Sequence, residues 1–288
     1  MTLQQASKQL LFQLYHLYEK REAANIADLV MENITEWKRI DRVINKELVL
    51  SPAKQELLEK ITVALLAHQP VQYVLNEAWF YGMKFYVDEN VLIPRPETEE
   101  LVEWLLQEKV SKEAGTKILD VGTGSGCIAI ALKKKLPLAD VYACDISEKA
   151  LNIAAKNARK METGIQFIQC DFLNPGSHSY LPQPDIIISN PPYIPMKDQQ
   201  EMRANVLLYE PPLALFVADE EPLVFYQAIA AFAGTHLADS GSIFVETHDQ
   251  LATDVKMLFI HSGFSNVALR KDMQGGERMV RAILHQYK

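Results

Sequence analysis

The sequence has no run of about 18–20 apolar residues, the length needed to cross a bilayer, so no membrane segment is expected. Met1-Thr2-Leu3-Gln4-Gln5 lacks the basic-then-apolar order of a secretory leader, and a soluble, cytoplasmic, monomeric protein is expected. Cysteine is scarce. Cys127, Cys144 and Cys170 form no Cys-x-x-Cys pair, lack metal-ligand spacing and lie in apolar segments, which predicts buried free thiols. The seven histidines form no His-Glu-x-x-His cluster either, and no metal is expected. A basic stripe is also missing. Residues 1–85 carry equal numbers of basic and acidic side chains, so the whole net charge of -8 falls on residues 86–288. Phosphate contacts supply much of the affinity for nucleic acid, so a long nucleic acid substrate is not expected. What is present is ordinary globular material, 48% apolar and 23% charged over 288 residues. That suffices for a catalytic domain plus a small helical one.

Residues 1–71 read as short helices that pack as a bundle. Leu10, Leu11, Leu14, Leu17 and Tyr18 recur at helical spacing, as do Ile26, Ala27, Leu29, Val30 and Ile34 after a break near Glu19. Ser51-Pro52 is a serine cap with proline in the first turn; Leu57, Leu58, Ile61, Val63, Leu65 and Leu66 are the expected apolar face of that helix. Residues 72–94 read as a linker, with Trp79–Val87 forming a hairpin around Gly82. Residues 95–288 form a third region, in which a helix starts at Glu97 or Thr98. Strands are predicted over Lys117–Val121, Val141–Asp145, Ile165–Asp171, Asp185–Asn190 and Ser242–Glu246, with helices over Ile128–Leu132, Ser147–Ala158 and Leu223–Leu237. The tail reads as two strands around Gly275-Gly276. The fold class is α/β: apolar strands alternating with helices predict a mostly parallel Rossmann-like sheet covered on both faces. The terminal hairpin makes its last strand antiparallel.

Asp120, Asp145 and Asp171 fall at the ends of the first three of these strands, where an open α/β sheet binds its ligand. The turn after the first reads Gly122-Thr123-Gly124-Ser125-Gly126, permitting a tight turn and close approach of a ligand. A dinucleotide pattern begun at Gly122 needs glycine where Cys127 stands. The spacing instead fits a nucleoside cofactor without a pyrophosphate, S-adenosylmethionine. Asp145 is placed to accept both ribose hydroxyls, Asp171 to take the adenine amino group and Phe172 to cover the ring.

The fourth strand ends in Asn190-Pro191-Pro192-Tyr193. Two prolines give a stiff turn whose carbonyls remain as acceptors. Asn190 offers a carbonyl and an NH₂, and Tyr193 a flat face. Together they suit a planar group bearing an NH₂, held in line with a methyl donor. No strong general base is required. An adenine N6 amine, a guanine N2 amine and a glutamine amide all fit.

The chain resembles the bacterial release factor glutamine methyltransferases over nearly its full length. Asn190–Tyr193 matches their acceptor motif and Asp120–Gly126 their cofactor loop. Gln69-Pro70-Val71-Gln72-Tyr73, Phe80-Tyr81-Gly82 and Val91–Glu99 match their linker, and Asp272, Gly275 and Arg278 their closing hairpin. Related ribosomal-protein glutamine methyltransferases differ after Pro94-Arg95, and adenine-specific DNA methyltransferases lack the linker. The resemblance implies a class I methyltransferase fold acting on the glutamine of the Gly-Gly-Gln loop of peptide chain release factors. It implies N5-methylglutamine and S-adenosylhomocysteine as products, and N-terminal helices that help hold the release factor. It also implies that Asn190 hydrogen-bonds the glutamine amide, that Pro191 supplies a carbonyl and that Tyr193 packs on the amide; Asn190 is in addition a candidate contact to the cofactor. Two positions depart from the family: Asn76 replaces its usual glycine, and Glu246-Thr247-His248 its Glu-x-Gly. Competing readings are an N-methyltransferase for a nucleic acid base or a ribosomal-protein glutamine, and a non-catalytic scaffold.

Overall fold

The N-terminus begins with a reciprocal cap. The Gln5 N–H donates to the Thr2 hydroxyl at 3.2 Å and the Thr2 N–H to the Gln5 side chain at 2.9 Å, satisfying two donors that helix geometry leaves free. The computed structural model describes residues 1–108 and 115–284. From this cap run α1 (Leu3–Leu14), α2 (Lys20–Thr35), α3 (Arg39–Ile44), α4 (Pro52–Leu66) and α5 (Val71–Leu75). Leu10, Leu14, Val30 and Leu65 are buried at their common core. The first helix ends before Leu17 and Tyr18, and the Tyr18 hydroxyl donates to the Leu65 carbonyl at 3.2 Å. In α4 the inward face is Leu58, Ile61, Thr62 and Leu65. Leu57, Val63 and Leu66, expected there, are exposed because the 3.6-residue period turns them away from that row.

Next come β1 (Ala78–Phe80) and β2 (Met83–Phe85), an antiparallel hairpin whose turn residues Tyr81 and Gly82 have φ of 51° and 73°. Positive φ at both positions matches the twist of the paired strands. After α6 (Pro96–Gln107), opened by Pro96 itself, follow β3 (Lys117–Val121), α7 (Cys127–Lys135), β4 (Asp140–Asp145), α8 (Glu148–Lys160), β5 (Gln166–Gln169) and β6 (Ile186–Ser189). Then come β7 (Ile194–Pro195), α9 (Ala204–Tyr209), β8 (Phe216–Val217), α10 (Val224–His236), β9 (Ser242–Glu246), α11 (Ala252–His261), β10 (Phe264–Lys271) and β11 (Glu277–Leu284). The helices α9 and α11 fall in segments for which the sequence predicts no element.

Among the described residues the main sheet has the order β10-β11-β9-β6-β3-β4-β5, with β11 antiparallel to both neighbours and the rest parallel. Alternation sends Ile118, Val141, Ile186, Ile188 and Phe244 to the face covered by α6 and α7. It sends Leu119, Cys144, Ile187, Ile243 and Val245 to the face covered by α10 and α11. Rossmann-like topology with a terminal antiparallel strand is thus observed.

The chain divides into two compact units, Met1–Glu77 with Arg203–Tyr209, and Ala78–Met202 with Glu210–Lys288. The hairpin β1–β2 therefore belongs with the sheet, and α9 with the helices. The Tyr209 hydroxyl donates to the Ala67 carbonyl at 2.7 Å. No helix among the described residues is long and apolar enough to cross a membrane.

Candidate active site

The chain runs outward from β3 through β4 to β5, then returns to β6 on the other side of β3. That reversal opens a crevice at the carboxyl ends of the strands. The Ser189 hydroxyl ties its two sides by donating to the Val121 carbonyl at 2.7 Å. A cavity of about 270 Å³ occupies the crevice, lined by Gly122, Gly124, Asp145, Asp171, Phe172, Asn190, Pro191 and Pro192. One loop after each of β3, β4, β5 and β6 reaches it.

The five loop residues after Asp120 divide by role. Gly122 and Gly124 have φ of +73° and +53°, a conformation costly for residues with a Cβ, and a Cβ on either meets nothing within 4 Å. They keep the cavity wall low. Gly126 has φ +81°, and a Cβ there falls 3.0 Å from the Ala154 Cβ; it permits α7 and α8 to approach. Thr123, Ser125 and Gly126 do not line the cavity. Thr123 is buried and donates its hydroxyl to Asp120 Oδ2 at 2.6 Å.

Asp120 also lies inside rather than at the cavity. Its Oδ2 accepts the Ala129 N–H at 3.2 Å, while Oδ1 has no partner among the described residues. Burial pushes its carboxyl up to about 7 against those two hydrogen bonds. Asp145 lines the cavity with both oxygens already engaged, Oδ2 by the Gly124 N–H and Oδ1 by the Ser147 N–H, each at 2.9 Å. Burial raises its pKa, opposed by those N–H groups. Each oxygen keeps acceptor capacity for a ligand hydroxyl. β5 ends at Gln169, so Asp171 sits in the following turn rather than on the strand, accepting the Leu173 N–H at 3.1 Å. Phe172 is buried, with its ring 4.9 Å from that of His178.

On the β6 side the Asn190 NH₂ donates to the Thr98 hydroxyl oxygen at 3.0 Å, and the Thr98 hydroxyl donates to Glu246 Oε2 at 2.6 Å. The Tyr193 hydroxyl donates to Glu246 Oε1 at 3.2 Å. Glu246 thus joins the two ends of the Asn190–Tyr193 turn. Tyr193 stands outside the cavity lining, with its ring edge-on to His248 at 6.2 Å. Thr98 and Glu246 are functional candidates that sequence reasoning passed over, although Glu246 was visible as the first residue of the altered Glu-x-Gly. The segment Glu89–Leu92 of the linker also lines the cavity, a role its motif did not reveal.

Both departures from the family are compatible with the backbone. Asn76 ends α5 with φ 53°, a left-handed position that asparagine tolerates better than most residues. His248 has φ -64° and ψ 138°, open to any side chain.

The profile described as "PrmC N-terminal domain" matches residues 3–75, and "Methyltransferase small domain" matches residues 101–208. The release factor glutamine methyltransferase of Flavobacterium psychrophilum is 42% identical over 93% of this chain and 94% of its own length. That of Bacteroides thetaiotaomicron is 39% identical over 93% and 95%. In fold, a Pyrococcus furiosus methyltransferase aligns with TM-score 0.52 at 16% identity, over 82% of this chain and 100% of its own. The chain therefore belongs to the release factor glutamine methyltransferase family of S-adenosylmethionine-dependent enzymes.

Proposed function

We propose that this chain methylates the side-chain amide nitrogen of the glutamine in the Gly-Gly-Gln loop of peptide chain release factors, giving N5-methylglutamine. The observation that carries the reading is the convergence of Asn190, Pro191 and Pro192 on the same cavity as Asp145 and Asp171. The low wall at Gly122 and Gly124 and the acidic groups beyond it fit S-adenosylmethionine, which supplies an electrophilic methyl group when bound. Asp145 holds the ribose hydroxyls on the lone pairs its backbone partners leave free. Asp171 takes the adenine amino group, and Phe172 covers the ring.

An amide nitrogen is a weak nucleophile because its lone pair is conjugated. The residues around it must therefore orient it and stabilise positive charge as it develops. Asn190 Oδ1 and the Pro191 carbonyl accept the acceptor N–H bonds. Tyr193, fixed through its hydroxyl, offers the flat surface for the amide plane. The prolines contribute no N–H groups to compete. A glutamine in an exposed protein loop suits an acidic catalytic region better than a polyphosphate chain does.

Radiolabelled methyl transfer tests this on four substrates: a purified release factor, the same protein with its loop glutamine changed to alanine, duplex DNA and ribosomal RNA. Label is expected on the intact release factor alone. Label on nucleic acid, or retained on the alanine variant, overturns the assignment.

A further inference from the structure

Glu246 is 1% exposed and Thr98 3% exposed, yet neither is needed to close a helix or a strand; their side chains are spent on each other and on the acceptor turn. We propose that Thr98 and Glu246 are positioning residues that set which end of the Asn190 amide faces the acceptor. This inference rests on the glutamine acceptor proposed above and deepens it.

The hydrogens available to these three side chains fix the orientation. A carboxylate only accepts. The Thr98 hydroxyl has one hydrogen, and with Glu246 ionised that hydrogen goes to Oε2. The Thr98 oxygen is then left as an acceptor, so Asn190 must turn its NH₂ toward it. Asn190 Oδ1 is the atom that remains, and Asn190 lines the cavity. An acceptor amide presenting N–H groups is therefore met by an oxygen, not by a competing donor. The second carboxylate oxygen takes the Tyr193 hydroxyl, so one anion sets both ends of the turn. Protonation reverses the logic. A neutral Glu246 donates to Thr98, the Thr98 hydrogen is free to point at Asn190, and a flipped amide is equally satisfied.

The surroundings make that protonation accessible. Burial pushes the Glu246 carboxyl up to about 7. Facing it are Thr98 and Glu97 from α6, Tyr193 from the turn after β6, and Arg278 from β11; the Tyr226 hydroxyl of α10 donates to its backbone carbonyl at 3.0 Å. Thr98, Tyr193 and Arg278 favour the anion, while Glu97 opposes it. The acceptor amide does not titrate in this range, so the enzyme's own groups set the pH dependence of the transfer step.

The test compares Thr98→Val, Thr98→Ser and Glu246→Gln with wild type, using an intact release factor under saturating S-adenosylmethionine. Valine keeps the shape of threonine and removes the hydroxyl. Thr98→Val is expected to lower kcat about ten- to a hundredfold, the loss that follows from one unmade hydrogen bond in a dry site. Cofactor affinity and unfolding temperature should stay near wild type. Thr98→Ser restores the hydroxyl and should restore most of the rate. In wild type kcat should fall as the pH drops through about 7. In Glu246→Gln it should be low throughout and lack that acid limb. Wild-type rates in Thr98→Val overturn the relay, as do an unrescued Thr98→Ser, loss of cofactor affinity in Thr98→Val, or an acid limb retained in Glu246→Gln. Absence of transfer by wild type overturns the glutamine assignment and the relay together. Transfer by wild type with any of the four results above overturns the relay alone.

Discussion

Arg95 pairs with Glu210 at 2.6 Å, across 115 residues of sequence, and the two partners differ sharply in burial: the Glu210 side chain is 1% exposed and that of Arg95 34%. The second Glu210 oxygen accepts the Ile93 N–H at 3.3 Å. The carboxylate therefore anchors the linker just before α6. Removing the arginine strands a buried anion, whereas removing the glutamate leaves a cation that reaches water. Arg95→Ala is expected to cost about 3 kcal/mol, the low end for a broken buried pair because Arg95 is partly exposed. Glu210→Ala should cost less. Urea unfolding of the two variants checks the order, and equal costs would contradict it.

The glycines of the cofactor loop should separate by phenotype. Gly126→Ala forces a Cβ to 3.0 Å from Ala154 in a left-handed backbone. Strain and overpacking together predict a loss of about 2–4 kcal/mol, seen as a lower midpoint in denaturant. Gly122→Ala meets no atom within 4 Å. It bears only the backbone strain but intrudes on the cavity wall, so its larger effect should be on cofactor affinity. A Gly126→Ala protein as stable as wild type would refute the packing role.

Asp145→Ala should weaken S-adenosylmethionine at least about tenfold in calorimetry, since hydrogen bonds to a charged group are worth about 1.5–3 kcal/mol each. Unchanged affinity would remove Asp145 from the ribose.

Asp120 predicts a pH dependence of stability with a defined sign. Its carboxyl rises from 3.8 to about 7 on folding because it is buried. Between those values the folded state binds more protons than the unfolded state, so stability falls as pH rises through the window. The unfolding free energy of wild type minus that of Asp120→Asn should decline from about pH 4 to about pH 7, by at most about 1.4 kcal/mol per pH unit. Denaturant titrations across that range measure it, and a rising difference would contradict the burial of an acid.

Tyr193 should act mainly through its ring. Tyr193→Phe removes one of the hydrogen bonds to Glu246 and should keep much of the activity, whereas Tyr193→Ala should lose most of it. Full activity in Tyr193→Ala, measured by methyl transfer to a release factor, would take the ring out of the acceptor site.

Local chemistry made part of this protein legible in its sequence. Strands buried on both faces must be apolar along their length, so β3, β4, β6 and β9 stood out, and the glycines, acids and prolines at their ends marked the crevice. Asn190-Pro191-Pro192-Tyr193 was readable because a stiff turn with free carbonyls is a property of four adjacent residues. The α11 segment stands out less because only Ala252, Val255 and Phe259 of its ten residues are buried, and α9 because its six residues have no buried side chain of their own. Tertiary structure alone decided that Glu246 and Glu210, two glutamates among many in the sequence, are buried and bonded to Thr98 and Arg95, that Gly126 faces a helix while Gly122 faces a cavity, and that Asp120 lies under the loop rather than in the pocket. Sequence carries the chemistry of each side chain and the period of its own element, but the charge state and orientation of a buried group depend on neighbours 100 residues away or more, brought together only when the sheet forms.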